Sequence, residues 1–113
     1  VIFILGQGIC HPQGLGIASH LGVLLNKPVI GITQSLTIGE EKNEGVYLRK
    51  KLVAKKIQTK EKSNPIYVSP GNLISLKTAV NVTQKCLREP HKLPEPIVMA
   101  RKTIARVKKE LRL

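Results

Sequence analysis

The stretch VIFILGQGICHPQGLGIASHLGVLLNKPVIGIT, residues 1–33, decides the fold. It opens on a continuous apolar run, residues 1–5, that breaks at Gly6-Gln7-Gly8. An uninterrupted apolar run closed by a glycine turn is the pattern of a buried strand in a parallel sheet. Leu15, Ala18, Leu21 and Leu25 then recur at helical spacing and predict a helix over residues 14–26 with one apolar face. Lys27-Pro28 closes it, because the residue before a proline is pushed out of the helical region. Val29–Thr33 is a second run rich in β-branched residues. Strand, helix and strand in this order make a right-handed βαβ unit. Open sheets built from such units take ligands beyond the carboxyl ends of their strands. Residues 6–13 and 34–36 are therefore expected on one rim.

Outward from this unit the pattern changes. Residues 45–57 place Val46, Leu48, Leu52 and Val53 among lysines, and Ile66, Tyr67 and Val68 form a second β-like segment. With a polar, turn-like stretch at 59–64 between them, they predict one pair of antiparallel strands. Ser75 is placed to cap a helix running to about Leu87, with Leu76, Ala79, Val80, Thr83 and Leu87 as its apolar stripe. Pro90 and Pro94 mark a linker over residues 89–95. Pro96 suits the first turn of a last helix, whose stripe is Ile97, Ala100, Ile104, Val107 and Leu111. The expected class is α/β, a mixed sheet with flanking helices.

Composition bounds the function. The chain has 113 residues, enough for one domain with a modest core. Hydrophobic residues make up 42%, which excludes a disordered tail, and aromatics only 3%, so the core is aliphatic. No apolar run approaches the roughly 20 residues of a membrane span. Residues 1–5 are too short for a signal peptide, so a cytoplasmic protein without membrane association is expected. Cys10 and Cys86 lack metal or redox spacing and read as buried free thiols. Lys and Arg number 19 against 7 acids, a net charge of +12. Such an excess favours polyanions through counterion release, although a lysine-rich solvated surface is the alternative. The charge is concentrated. Residues 49–62 hold Arg49, Lys50, Lys51, Lys55, Lys56, Lys60 and Lys62 against Glu61. Residues 101–112 hold Arg101, Lys102, Arg106, Lys108, Lys109 and Arg112 against Glu110. Every acid is a glutamate, and aspartate is absent.

Three stretches together resemble the endonuclease V family. GQGICHPQGLGIASHLGVLLNKPVIGIT is similar to the family's run of Asp-Gly-His-Gly, Ile-x-His-Pro-Arg, Gly-x-Ala-Ser-His-Leu-Gly and Pro-x-Ile-Gly-Val-Ala-Lys. PIYVSPGNLISLKTAV resembles its Pro-Leu-Tyr-Val-Ser-x-Gly-His-Arg-Ile-Ser, and KLPEPIVMAR its Leu-Pro-Glu-Pro-x-x-x-Ala-Asp. The resemblance implies a truncated ribonuclease H-like fold, with residues 1–113 forming a single partial domain equivalent to the C-terminal portion of the family. It also implies Mg²⁺-dependent cleavage of DNA, or of RNA in some members, near inosine.

The departures fall on the chemistry. Two-metal phosphodiester cleavage needs several carboxylates converging on hard cations. Leu5 stands where the resemblance calls for an Asp, Gln7 for a His, Gln34 for a Lys and Arg101 for a second Asp. No catalytic residue and no metal ligand is therefore expected, and no cofactor, although active family members use Mg²⁺. Glu40, Glu41 and Glu44 in an expected loop are the remaining acids that bear on a cation; a solvated turn is the plainer reading. For binding, the resemblance assigns Gly6 and Ile17 to an inosine pocket and His11 to the scissile strand. Read from the residues alone, Gly6 is a tight turn, Ile17 is core and His11 fixes its own loop. Gly6 and Gly8 are expected to expose backbone N–H groups, with Gln7 between them. Gln13, Asn72 and Leu73 replace an Arg and a His-Arg pair, which weakens phosphate contact. Lys50, Lys51, Lys55 and Lys56 are expected to compensate without reading sequence. His20 is expected to be packed within its helix.

Three functions follow. The first is an endonuclease V-like protein without catalysis that binds nucleic acid, DNA or RNA, or serves as a partner subunit. The second is a structural or oligomeric protein, for example a homodimer closing an exposed sheet edge. The third is a working nuclease whose site is completed by other residues.

Overall fold

The computed structural model describes residues 1–59 and 63–111. Lys60, Glu61, Lys62 and Arg112, counted above in the two basic runs, and the middle of the expected turn at 59–64 lie outside the described residues.

The opening stretch folds as strand β1 (Ile2–Leu5), helix α1 (Ile17–Leu25) and strand β2 (Val29–Thr33). β1 and β2 are parallel, with Ile2 opposite Val29 and Leu5 opposite Ile32. α1 begins three residues later than the pattern predicts, since residues 12–16 are spent on a loop that Gly14 turns at positive φ. Its buried face is Ala18, Ser19 and Gly22, whereas Leu15, Val23, Leu24 and Leu25 are exposed. Small residues face the sheet because the helix sits close. A Cβ at Gly22 would lie 2.4 Å from the Asn72 Cβ.

The middle differs from its expected form. Residues 45–57 are a hairpin of two strands, β4 (Gly45–Leu48) and β5 (Lys51–Ile57), preceded by a short strand β3 (Glu40–Lys42). Two-residue turns join them, and both residues of each turn have positive φ: Asn43 and Glu44, then Arg49 and Lys50. That geometry suits the twist of a tight hairpin and is ordinarily announced by Asn-Gly or Asp-Gly. Neither turn carries a glycine, so the sequence signal is missing. A bulge at Val53 breaks the alternation of β5, since Val46 faces Ala54 and Tyr47 faces Leu52. Strand β6 (Ile66–Asn72) joins the halves, antiparallel to both β2 and β5. The mixed sheet runs β1-β2-β6-β5-β4-β3.

The C-terminal third is helix α2 (Leu76–Lys85), capped by Ser75, whose Oγ accepts from Thr78 N–H at 3.2 Å, and helix α3 (Glu95–Leu111). α2 and the start of α3 cover one sheet face, burying Ile30, Ile32, Ile57, Ile66 and Val68 against Ala79, Val80, Leu93 and Ile97. Each such branched side chain contributes about 1.5–3 kcal/mol when fully buried. A smaller cluster of Cys10, Val46, Val53 and Ala54 occupies the opposite face beside the glycine loop. Beyond Ile97 the expected stripe of α3 is uncovered: Ile104, Val107 and Leu111 are exposed. No described helix is long and apolar enough to cross a membrane.

Candidate functional site

The carboxyl ends of β1 and β2 open onto the same rim, and two loops meet there. Gln7 Nε2 donates to Thr37 Oγ1 at 2.8 Å, and Gln7, Cys10, Ser35 and Leu36 line one small depression. The expected meeting of residues 6–13 with 34–36 is therefore present. The glycine loop is not an open anion cradle, however. Gly6 N–H donates to Ile4 O at 2.9 Å, and Gly8 N–H to the buried Ser69 Oγ at 3.0 Å. Both donors are spent inside the protein, which corrects the expectation that they face a ligand. Gly8 is glycine for packing, because a Cβ there would fall 2.2 Å from Pro70 O. Ser69 is a residue the motif reading missed. Its signal was its place in the Tyr-Val-Ser-x-Gly stretch, which said nothing of its partner.

Gly6 packs on Ile17, whose Cγ2 would lie 2.3 Å from a Cβ placed there. Ile17 is exposed, not core, and lines an open groove with His11, Leu15, His20, Leu21 and Leu24 on the α1 face. His11 Nδ1 accepts from Gln13 N–H at 3.1 Å, so Nδ1 carries no proton and the N–H sits on Nε2. The imidazole both fixes its own loop and keeps a donor. His20 is exposed in the same groove, which corrects its expected burial.

The lysines of the hairpin do not form one platform. Lys55 pairs with Val68 and stands on the sheet face that carries α2, whereas Lys56 pairs with Tyr67 and stands on the other. Lys56 Nζ is held by Glu41 Oε2 at 3.2 Å. Tyr67 OH donates to the other oxygen of Glu41 at 3.2 Å. Burial, then the Glu41 charge and hydrogen bond, push the Tyr67 phenol above its ordinary range, while Lys56 pulls it back. Lys50 occupies the β4–β5 turn, and Lys51 lines a shallow groove with Arg49, Pro12 and Gln13. Lys51 thus shares a groove with the loop that follows His11. Glu40 and Glu41 lie in β3 rather than in a loop, with Glu44 in the turn that follows.

On the opposite face, Gln34 and Arg101 line one groove with His91, Lys92, Leu93, Val98 and Lys102. Two of the four positions that depart from the family's pattern, Leu5, Gln7, Gln34 and Arg101, are thus brought together by the fold. Leu5, exposed at the end of β1, is not in its lining. Among the described residues no group of three or more His, Cys, Asp or Glu is placed to hold a metal. An amide, a guanidinium and an aliphatic chain do not make a Mg²⁺ donor set. Asn72 has acquired a structural use, its Nδ2 donating to Lys27 O at 3.1 Å, while Leu73 is exposed at positive φ. Burial raises the Cys10 thiol above its ordinary range, consistent with an inert core residue. Cys86 is only half-buried, which corrects its expected burial.

A protein-family model described as Endonuclease V matches residues 1–102. The curated endonuclease V of Protochlamydia amoebophila is 38% identical over 85% of this chain and 44% of its own length. That of a Nostoc species is 40% identical over 90% of this chain and 49% of its own. The crystal structure of endonuclease V from Streptomyces avermitilis superposes with a TM-score of 0.82 at 27% identity, covering 99% of this chain and 52% of that one. That of Ciona intestinalis, in complex with a 24mer DNA containing an inosine followed by a ribo-adenosine, superposes with a TM-score of 0.82 at 30% identity, over 96% and 54%. The chain spans about half the length of the relatives it matches.

Proposed function

The chain belongs to the endonuclease V family, and from that premise we propose that it is a nucleic-acid-binding member that does not itself cut. One observation carries the reading: His11 and Ile17, with Gly6 packed on Ile17, stand together on the α1 face, while Gln34 and Arg101 occupy the opposite side of the rim without a carboxylate ligand set. The first group offers an apolar wall and an imidazole N–H, which suit a splayed base and its phosphate. The second offers no carboxylate set to hold the Mg²⁺ ions that two-metal cleavage uses. A net charge of +12 supplies long-range attraction to the polyanion. Inosine is the base that the Ciona relative's DNA contains, and a preference for it is part of the proposal.

The test is a combined shift and cleavage assay on inosine-containing and plain DNA and RNA, with Mg²⁺, with Mn²⁺ and with EDTA. Retention that weakens steeply with salt, and no nicking, is the expected result. Nicking abolished by EDTA overturns the reading of inactivity, and binding without salt dependence overturns the basic surface as its contact.

A second reading has its own observation. β1 is paired on one side only, at the end of the sheet, and α3 leaves Ile104, Val107 and Leu111 uncovered. A homodimer closing the β1 edge is the arrangement these features support. Light scattering decides it, and a monomer at tens of micromolar rules it out.

A further inference from the structure

The groove between the end of β2 and α3 has exchanged one chemistry for another. Val98, Arg101 and Lys102 follow at i, i+3 and i+4 on α3 and so share a face. His91 and Lys92 reach the same groove from the α2–α3 connection, and Gln34 from the residue that follows β2. Lys92, Arg101 and Lys102 have no acidic partner among the described residues. Glu95, at the start of α3, is engaged by His91 Nδ1 at 2.8 Å. A carboxylate only accepts, so Nδ1 carries the proton and the ring is held by the first residue of α3. Leu93 and Val98 give the groove an apolar floor, continuous with the core under α2 and α3. Its volume is about 350 Å³, room for a phosphate group with a small organic substituent.

We propose that this groove is a metal-independent phosphate site, in which the Arg101 guanidinium, with Lys92 and Lys102, directly holds a phosphate group of the kind a metal-dependent site would bind through cations. A guanidinium fork matches two phosphate oxygens, and the two ammonium groups neutralise the remaining charge. Gln34 supplies a neutral amide donor to a third oxygen. The groove's lining holds no carboxylate to offset the three cationic side chains against a divalent cation. That the phosphate belongs to a nucleic acid rests on the proposed function; affinity for the phosphate group itself does not.

The experiment titrates the chain in EDTA with inorganic pyrophosphate by calorimetry, and with a short single-stranded oligonucleotide by anisotropy. Arg101→Ala is expected to weaken both by about tenfold, the value of a charge-assisted hydrogen bond. Arg101→Lys restores charge without the fork and is expected to recover only part of the loss. Lys77→Ala, which removes one charge from exposed α2, leaves both within about twofold. Equal losses in Arg101→Ala and Lys77→Ala overturn the site in favour of diffuse attraction. Pyrophosphate binding that requires Mg²⁺ overturns it in favour of a cation centre. Arg101-dependent pyrophosphate binding with no oligonucleotide binding upholds the site and overturns the proposed function instead. Circular dichroism of each variant confirms that the fold survives.

Discussion

The two faces of the rim have diverged in different ways. On the α1 face, residues 6–33 depart from the family pattern at Gln7 and Gln13 but carry glycine at positions 8, 16 and 31, and there the backbone itself is the packing surface. Gly8 is against Pro70 O, Gly16 against Gln7 O, and Gly31 against Gly6 O and Gly8 N. On the opposite face, Gln34, just past β2, and Arg101, on α3, are exposed side chains, while Ile32 and Ile97 of those elements fill the core. Replacing them leaves the sheet intact. Close backbone packing restricts a sequence for the sake of the fold, whereas a ligand site restricts it only for the sake of the ligand.

Substitutions can break or sharpen that contrast. Gly8→Ala has the largest expected effect, because the added methyl meets a carbonyl oxygen at 2.2 Å on a strand that cannot retreat. A loss of about 3 kcal/mol, seen as a lower urea midpoint, is the upper end of ordinary overpacking. A loss under about 1 kcal/mol would break the contrast. Ser69→Ala leaves the buried Gly8 N–H without its acceptor and is expected to cost about 1–3 kcal/mol. Tyr67→Phe removes a half-exposed hydrogen bond to Glu41 and is expected to cost under about 1 kcal/mol at neutral pH. Its signature is the pH dependence. The folded phenol titrates above the ordinary value of 10.0, so the contribution of Tyr67 is whole below that value and is lost as pH rises through the folded pKa. Urea midpoints taken between pH 9 and 11.5 should fall more steeply for the wild-type chain than for the variant. Arg101→Ala is expected to move stability by no more than about 0.5 kcal/mol, the range of surface changes, while still weakening phosphate binding.

The α3 stripe adds to the comparison. Ala79, Val80 and Thr83 of α2 are buried as their spacing predicts, but Ile104 and Val107 of α3 are not, although the two periodicities read alike. Periodicity says which face is apolar and nothing about whether this chain supplies a cover.

What the sequence determined by itself was the parallel pair β1 and β2 with α1 between them, the Ser75 cap, the two later helices and the charge. Each rests on local signals: apolar runs, helical spacing, prolines and capping side chains. It also placed Gln34 and Arg101 as altered positions, through the motifs that surround them. Only the tertiary structure decided that the Gly6 and Gly8 N–H groups are spent internally, since their acceptors are Ile4 O and, 61 residues away from Gly8, Ser69 Oγ. It split residues 45–57 at Arg49-Lys50, where no glycine announced the turn, and set Lys55 and Lys56 on opposite faces. It brought Gln34 and Arg101, 67 positions apart in the sequence numbering, into one cationic groove. Hydrogen-bond partners and shared grooves depend on distances across the sheet, and a local pattern carries no record of those.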